Sequence, residues 1–266
     1  METEKKSKIY ISSEVKEFND FIEIARNKNY GLEVQAFAFP QIMYGNWFKD
    51  LLYYEDMLKN FNNGLAFHNV FFSAITVSED YRIVETTKEK MRYGFMIANE
   101  LGAKIVIAHL IWEPEYREDV FTYYMEKQLR FWDEFINFAE KKDILIVMEN
   151  TNETRPDYML PIIEKANSPC FQINWDIGHA NLFTEIPLED WVSAFGKHLK
   201  YIHFHTNNGR YDQHVWNENG TINFDPIFSR IAENNLHTIF TTEIYEKREL
   251  KNALNFLKEK LLEYNV

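Results

Sequence analysis

An α/β chain folded as one (β/α)8 barrel is predicted by three observations. Strand-like apolar runs alternate with helical stretches eight times along the 266 residues, and the runs are mostly apolar at both parities. Parallel strands covered by helices outside and by packed side chains inside need that pattern. Six of the runs also finish on a metal-binding type: His68 closes LAFH, His109 closes IVIAH, Glu149 closes ILIVME, Asp176 closes FQINWD, His205 closes YIHFH and Glu243 closes TIFTTE. A barrel of eight such units assembles its active site at the rim where its strands end.

In chain order, a first strand is expected over 8–13 and its helix over 15–28, closed by Asn29-Tyr30-Gly31. Glycine just past a helix serves a left-handed cap, and the second strand follows at 32–39. Asn62-Asn63-Gly64 closes a helix over 47–61 before a third strand at 65–72, and Leu101-Gly102-Ala103 closes one over 80–101 before a fourth at 104–111. Helix 117–141 leads to strand 144–151, helix 157–167 to strand 171–177, helix 188–197 to strand 199–206, and helix 224–235 to strand 237–245, with a last helix over 246–263. A doubly wound open sheet is the rival. It announces itself with a Gly-rich phosphate loop after its first strand, and Ile11-Ser12-Ser13-Glu14-Val15 contains no glycine.

No Pro/Gly/Ser-rich linker or charge block divides the chain, so residues 1–266 are read as one domain. Hydrophobic residues at 45% and aromatics at 16% supply a large core. The opening METEKKSKIY lacks the apolar segment and small-residue cleavage site of a signal peptide, and nowhere do 18 apolar residues run together. The expectation is a soluble, cytoplasmic protein without a membrane segment, for which a homo-oligomer is compatible. Cys170, the only cysteine, excludes an internal disulfide and reads as a packed small hydrophobe. A net charge of −12 without a Lys/Arg stripe opposes a nucleic-acid partner, because phosphate-backbone affinity comes from neutralising cations.

The fifth to eighth strands supply Glu149, Asp176, His205 and Glu243. Three carboxylates and an imidazole make an oxygen-rich site suited to Mn²⁺, Mg²⁺, Co²⁺ or Zn²⁺, with no sulfur to recruit copper. Singly, each residue could be a helix cap or a satisfied core group. Together they crowd like charge and call for a cation. His179 follows in Asp176-Ile177-Gly178-His179, where Gly178 is read as letting the backbone turn, and Asp212 and His214 form an Asp-x-His pair after strand seven. With His68 and His109 the chain offers nine candidate ligands, while His198 and His237 fall at strand entrances, the opposite end. His203 shares the parity of His205 and competes for the strand-seven role; His205, nearer the strand's end, is preferred, with His203 a layer below as support.

The motifs FHNVF, IVIAH, IVMENTN, WDIGHAN, HFHTNNGRYDQH and TTEIY, in this order and spacing over strands three to eight, resemble the xylose isomerase-like TIM-barrel superfamily. That superfamily includes sugar-phosphate isomerases and epimerases, ketose 3-epimerases, inosose-processing enzymes and endonuclease IV. The resemblance implies that Glu149, Asp176, His205 and Glu243 bind the catalytic divalent ion, and that His68, His109, His179, Asp212 and His214 match the extra ligands of endonuclease IV's three-zinc cluster, giving one to three ions. It implies a metal-dependent sugar or sugar-phosphate isomerase or epimerase, with Glu149 and Glu243 as proton acceptor and donor through an enediolate. Asn150, His179 and Arg210 are expected to hold substrate oxygens, and rim aromatics such as Phe39, Trp112, Trp175 and Trp216 to floor the pocket of a small carbohydrate. The alternative is a multi-zinc phosphodiesterase acting on abasic DNA, for which this chain offers the apolar segments Asn69-Val70-Phe71-Phe72 and Gln41-Ile42-Met43-Tyr44 as a wedge but no cation to grip a duplex. A catalytically silent binding barrel would keep the fold and lose the two glutamates.

Overall fold

Eight parallel strands close into a barrel in chain order, with β1 hydrogen-bonded to both β2 and β8, in a computed structural model that describes residues 7–13, 18–110 and 120–266. The strands are β1 (Lys8–Ser13), β2 (Gly31–Val34), β3 (Leu65–His68), β4 (Ile105–His109), β5 (Leu145–Glu149), β6 (Phe171–Asp176), β7 (Leu199–Phe204) and β8 (Ile239–Thr242). The described helices around them are α1 (Phe18–Lys28), α2 (Pro40–Met43), α3 (Trp47–Leu58), α4 (Tyr81–Glu100), α5 (Phe121–Lys142), α6 (Leu160–Ala166), α7 (Ile177–Phe183), α8 (Leu188–Phe195), α9 (Asp225–Glu233) and α10 (Lys247–Glu263). No described helix is long and apolar enough to cross a membrane.

Two cores follow from the alternation of the strands. Inward positions Tyr10, Ala66, Ile105, Ile107, Val147 and Tyr201 fill the lower barrel, while outward positions pack under the helices. Helix α5 shows how the outer core is built: Tyr124, Gln128, Phe131, Trp132, Phe135 and Ala139 recur at helical spacing and are buried. Each such aromatic contributes about 1.5–3 kcal/mol when removed from water. Cys170 packs partly buried against this outer core, and burial pushes its thiol up.

Several expected strands stop early for local reasons. After Val34 the run Ala36–Ala38 makes a 3-10 turn, and Phe39-Pro40 opens α2, with proline at a first helical position where its missing N–H costs nothing. The segment 69–72 leaves the sheet after His68. Two helices absent from the expected pattern, α2 and α7, occupy four and seven residues, too short to show a period. The left-handed cap before β2 is Asn29, at φ 56°, and not Gly31, whose missing side chain instead admits the Tyr10 ring.

Register then sets the rim. His109 stands abreast of Glu149, and a shift in the β6–β7 ladder between Ile173 and Asn174 pairs Asn174 with Tyr201 and Asp176 with His203. Without that irregularity Asp176 would face the outward-directed Ile202.

Candidate metal centre

Glu149, Asp176, His203 and Glu243, all buried, bring one ligand atom each to a common centre, the atoms lying within 4.8 Å of one another. His203 Nδ1 is 3.2 Å from Glu149 Oε2, 3.2 Å from Glu243 Oε2 and 3.5 Å from Asp176 Oδ2. The strand-seven position in this quartet is therefore held by His203, where the sequence pattern favours His205. β7 ends at Phe204, so His203 is the last inward residue of the ladder and His205 lies one layer above. There its Nε2 sits 3.1 Å from both oxygens of Asp176 and its ring stacks on His214, centroids 4.1 Å apart.

Two further groups flank the quartet. His68 and His109 share Glu149, whose Oε2 lies 3.4 and 3.6 Å from their Nε2 atoms. On the other side His179 and His214 place Nε2 3.2 and 2.9 Å from Asp212 Oδ2. His205 forms a fourth convergence with His214 and Glu243. Backbone carbonyls fix two of these imidazoles: Nδ1–H of His68 donates to Asn69 at 3.0 Å and that of His179 to Asn150 at 2.9 Å, turning both Nε2 lone pairs inward.

The donor set fits divalent ions. His109 Nε2, His203 Nδ1, His214 Nδ1 and Glu243 Oε2 are buried yet make no hydrogen bond, and all aim at the shared interior. Buried polar atoms are normally paired, and a cation could pair these orphans. The electrostatics agree. Burial opposes ionisation of Glu149 and Glu243, but His203 with His109, and His203 with His214, outweigh it and hold both carboxyls well below the ordinary range. Burial likewise opposes charge on His203 and His214, and the surrounding carboxylates reverse it, holding both well above an ordinary imidazole. His109, with one carboxylate neighbour, is pushed down by burial. Oxygen and imidazole donors without sulfur suit Zn²⁺, Mn²⁺, Co²⁺ or Mg²⁺.

Around the centre opens a cleft of about 610 Å³. Phe39, Phe71 and Phe72 form one wall, with the Phe71 ring stacked over His109 at 5.4 Å. Arg210, Tyr211, Thr151 and Asn152 line the opening, and Arg210 is the one Lys or Arg among its described lining residues. The other expected substrate contacts are placed elsewhere. Asn150 is fully engaged as a strut, its Nδ2 donating to the Asp176 carbonyl at 2.9 Å and its Oδ1 accepting from the Asp176 N–H at 2.8 Å. Trp216 packs outside the barrel between Phe204, Phe224 and Phe256. Trp175 is buried against Trp191, and Trp112 lies outside the described residues. Glu33, Gln35 and Tyr245, which sequence reasoning passes over, contact the quartet; a charged residue inside an otherwise apolar strand, Gly31-Leu32-Glu33-Val34, is the signal for the first.

Comparison with known proteins places the fold. A 221-residue stretch is 25% identical to the uncharacterised protein MJ1311 of Methanocaldococcus jannaschii, covering 80% of this chain and 75% of that protein. Among solved structures, a D-tagatose 3-epimerase-like protein superposes with TM-score 0.79 at 23% identity over 97% of this chain and 98% of its own. The TTHB071 protein from Thermus thermophilus, soaked with ZnCl2, also gives 0.79, at 18% identity over 96% and 98%. An L-ribulose 3-epimerase gives 0.76 at 14% identity over 97% and 96%. At these identities the structures speak for the fold. The family model for xylose isomerase-like TIM barrels matches residues 24–260, and the chain belongs to that family.

Proposed function

We propose that this protein is a divalent-metal-dependent isomerase or epimerase of a small sugar or sugar phosphate, moving a proton at a carbon beside a carbonyl. The observation that carries the reading is the opposed pair Glu149 and Glu243, which reach His203 Nδ1 at 3.2 Å each from β5 and from the end of β8. An ion held by the quartet would polarise a carbonyl and a neighbouring hydroxyl, making the C–H between them acidic. Glu149 would then take that proton on one face of the carbon, and a proton from solvent relayed by Glu243 would enter the enediolate on the opposite face while the proton on Glu149 passes to solvent, so that both carboxylates end as they began. Glu149 Oε2 is anchored by Asn174 Nδ2 at 3.0 Å and Glu243 Oε1 by Gln35, so each carboxylate keeps its orientation as charge moves. Arg210 and His179 hold substrate oxygens at the opening, and the phenylalanine wall excludes water from the reacting face. The fold neighbours described as D-tagatose 3-epimerase-like and as L-ribulose 3-epimerase support this substrate class.

A second reading, a multi-metal phosphodiesterase of the endonuclease IV type, is favoured by the two flanking groups, His68-His109-Glu149 and His179-Asp212-His214. A single-ion epimerase does not need them. Against it stand the net charge of −12 and the single cation among the described residues lining the opening.

The test is solvent deuterium exchange into a panel of ketoses and ketose phosphates by the metal-loaded protein and by Glu149→Gln and Glu243→Gln. Each variant keeps its size but loses basicity, so exchange is expected to fall about 10²–10⁴-fold. Unimpaired variants would remove both glutamates from the chemistry. Incision of an abasic duplex, with no exchange into any sugar, would put the phosphodiesterase reading first.

A further inference from the structure

Six strands deliver the ligand candidates, and β1 and β2 deliver none, yet these two carry a buried polar group that reaches the centre from below. Ser12 and Glu33 are abreast in the β1–β2 ladder, and Glu33 is fully buried. Its Oε1 accepts from Ser12 Oγ at 3.3 Å and from Gln35 Nε2 at 3.1 Å, and its Oε2 accepts from Tyr201 Oη at 2.9 Å and from His203 Nε2 at 3.1 Å. A carboxylate only accepts, so the proton of that last bond belongs to His203 Nε2. The other ring nitrogen, Nδ1, is thereby the one presented to Glu149, Asp176 and Glu243.

Gln35 performs the matching task at Glu243. Its amide nitrogen spends one N–H on Glu33 and the other on Glu243 Oε1, while its own oxygen lies 2.9 Å from the Tyr245 hydroxyl. Glu243 Oε1 is thus occupied and Oε2 is left without a hydrogen bond, facing His203 and His214.

We propose that Glu33 and Gln35 are positioning residues of the metal centre, Glu33 making His203 an Nδ1 donor and Gln35 turning Glu243 so that Oε2 faces the ion. The proposal rests on the metal-centre reading of this site. A ligating histidine whose second N–H is held by a carboxylate keeps one ring orientation and is a stronger donor, and loss of such a partner commonly weakens metal binding about 10–100-fold. A purely structural role, in which Glu33 only ties β1, β2 and β7 together, would leave affinity untouched.

The experiment is a Zn²⁺ titration of the chelator-stripped protein against a chromophoric competitor, together with the absorption spectrum of the Co²⁺-loaded form and the melting curve of the metal-free form. Glu33→Gln is expected to bind Zn²⁺ about 10–100-fold more weakly, to shift the cobalt bands, and to melt near wild type without metal. Ser12→Ala, which removes a contact of Glu33 that does not touch His203, is expected to bind as wild type. If Glu33→Gln does not fold, Gln35→Ala is read in the same way, with the same weakening expected. Wild-type affinity and an unaltered cobalt spectrum in the folded variant overturn the proposal while leaving the metal centre intact. A wild-type protein that binds neither ion overturns the metal-centre reading itself.

Discussion

Gly178 has no side chain because His205 occupies the place where one would be. A Cβ there would lie 2.0 Å from His205 Cε1 and 2.6 Å from its Nδ1. The glycine stands in the first turn of α7 with no left-handed backbone, so it makes room for a ring and does not supply a turn. The beneficiary is Asp176, which has two tasks at once. Its Oδ1 caps α7 by accepting from the His179 N–H at 2.6 Å, and both its oxygens face His205 while Oδ2 faces His203. Gly178→Ala is expected to push His205 off Asp176 at a cost of about 1–3 kcal/mol, the range for an overpacked core. Urea denaturation measures it, and the double variant Gly178→Ala/His205→Ala should recover part of the loss. A single variant as stable as wild type would show that the ring yields freely.

At the scale of elements, the loop after β7 carries the ligand candidates held neither by a strand end nor by the residues just after one. Thr206 and Val215 bridge antiparallel across it, and His214 sits beside that bridge at φ 48°, a left-handed backbone that costs a non-glycine residue on the order of 1 kcal/mol and needs its surroundings to persist. The stack on His205 and the contacts to Asp212 and Glu243 are those surroundings. Replacing Asp212 and His214 together by Ala is expected to lower the bound metal by one ion per chain while the quartet keeps its own, because Glu149, Asp176 and His203 sit on separate strands. Elemental analysis after gel filtration decides it. Unchanged stoichiometry would reduce the pair to a contact that only holds the loop. These elements also show what is legible in the chain. The alternation and two-sided apolarity of the strands announce the barrel, and residues that close strands announce the rim, since both depend on short-range pattern. The choice between His203 and His205 depends on a ladder shift in β6–β7 and on where pairing stops, which are settled between strands. Asn150 and Trp216 escape the pattern for a related reason: an amide or an indole near a rim satisfies backbone and core as readily as substrate. Glu33 and Gln35 act across β1, β2, β7 and β8, and no local window contains the partners they reach on β1, β7 and β8.

For the whole molecule, the centre ties folding to proton concentration, and a metal held there would add a dependence on metal concentration. Glu149, Asp176, Asp212 and Glu243 are held below their ordinary values, so their contribution is present above the unfolded carboxylate range and is lost as acid protonates them. His179, His203 and His214 are held above the ordinary imidazole value. Their contribution is complete below about pH 6.5, the unfolded value, and is lost as pH rises through the higher folded value. Without metal, protonated imidazoles are the counter-charge for the buried carboxylates, and raising the pH removes it. With metal bound the sign reverses, because ligation requires neutral imidazole and competes with protons for the same nitrogens. The melting temperature of the chelator-stripped protein is therefore expected to fall from about pH 6.5 towards about pH 9, and the gain on adding Zn²⁺ or Mn²⁺ to grow over that interval. Differential scanning calorimetry at matched ionic strength reads both. A metal-free protein equally stable at both ends of that interval would mean that the imidazoles do not carry the counter-charge. A metal-induced gain that does not change with pH would mean that binding displaces no proton from these histidines.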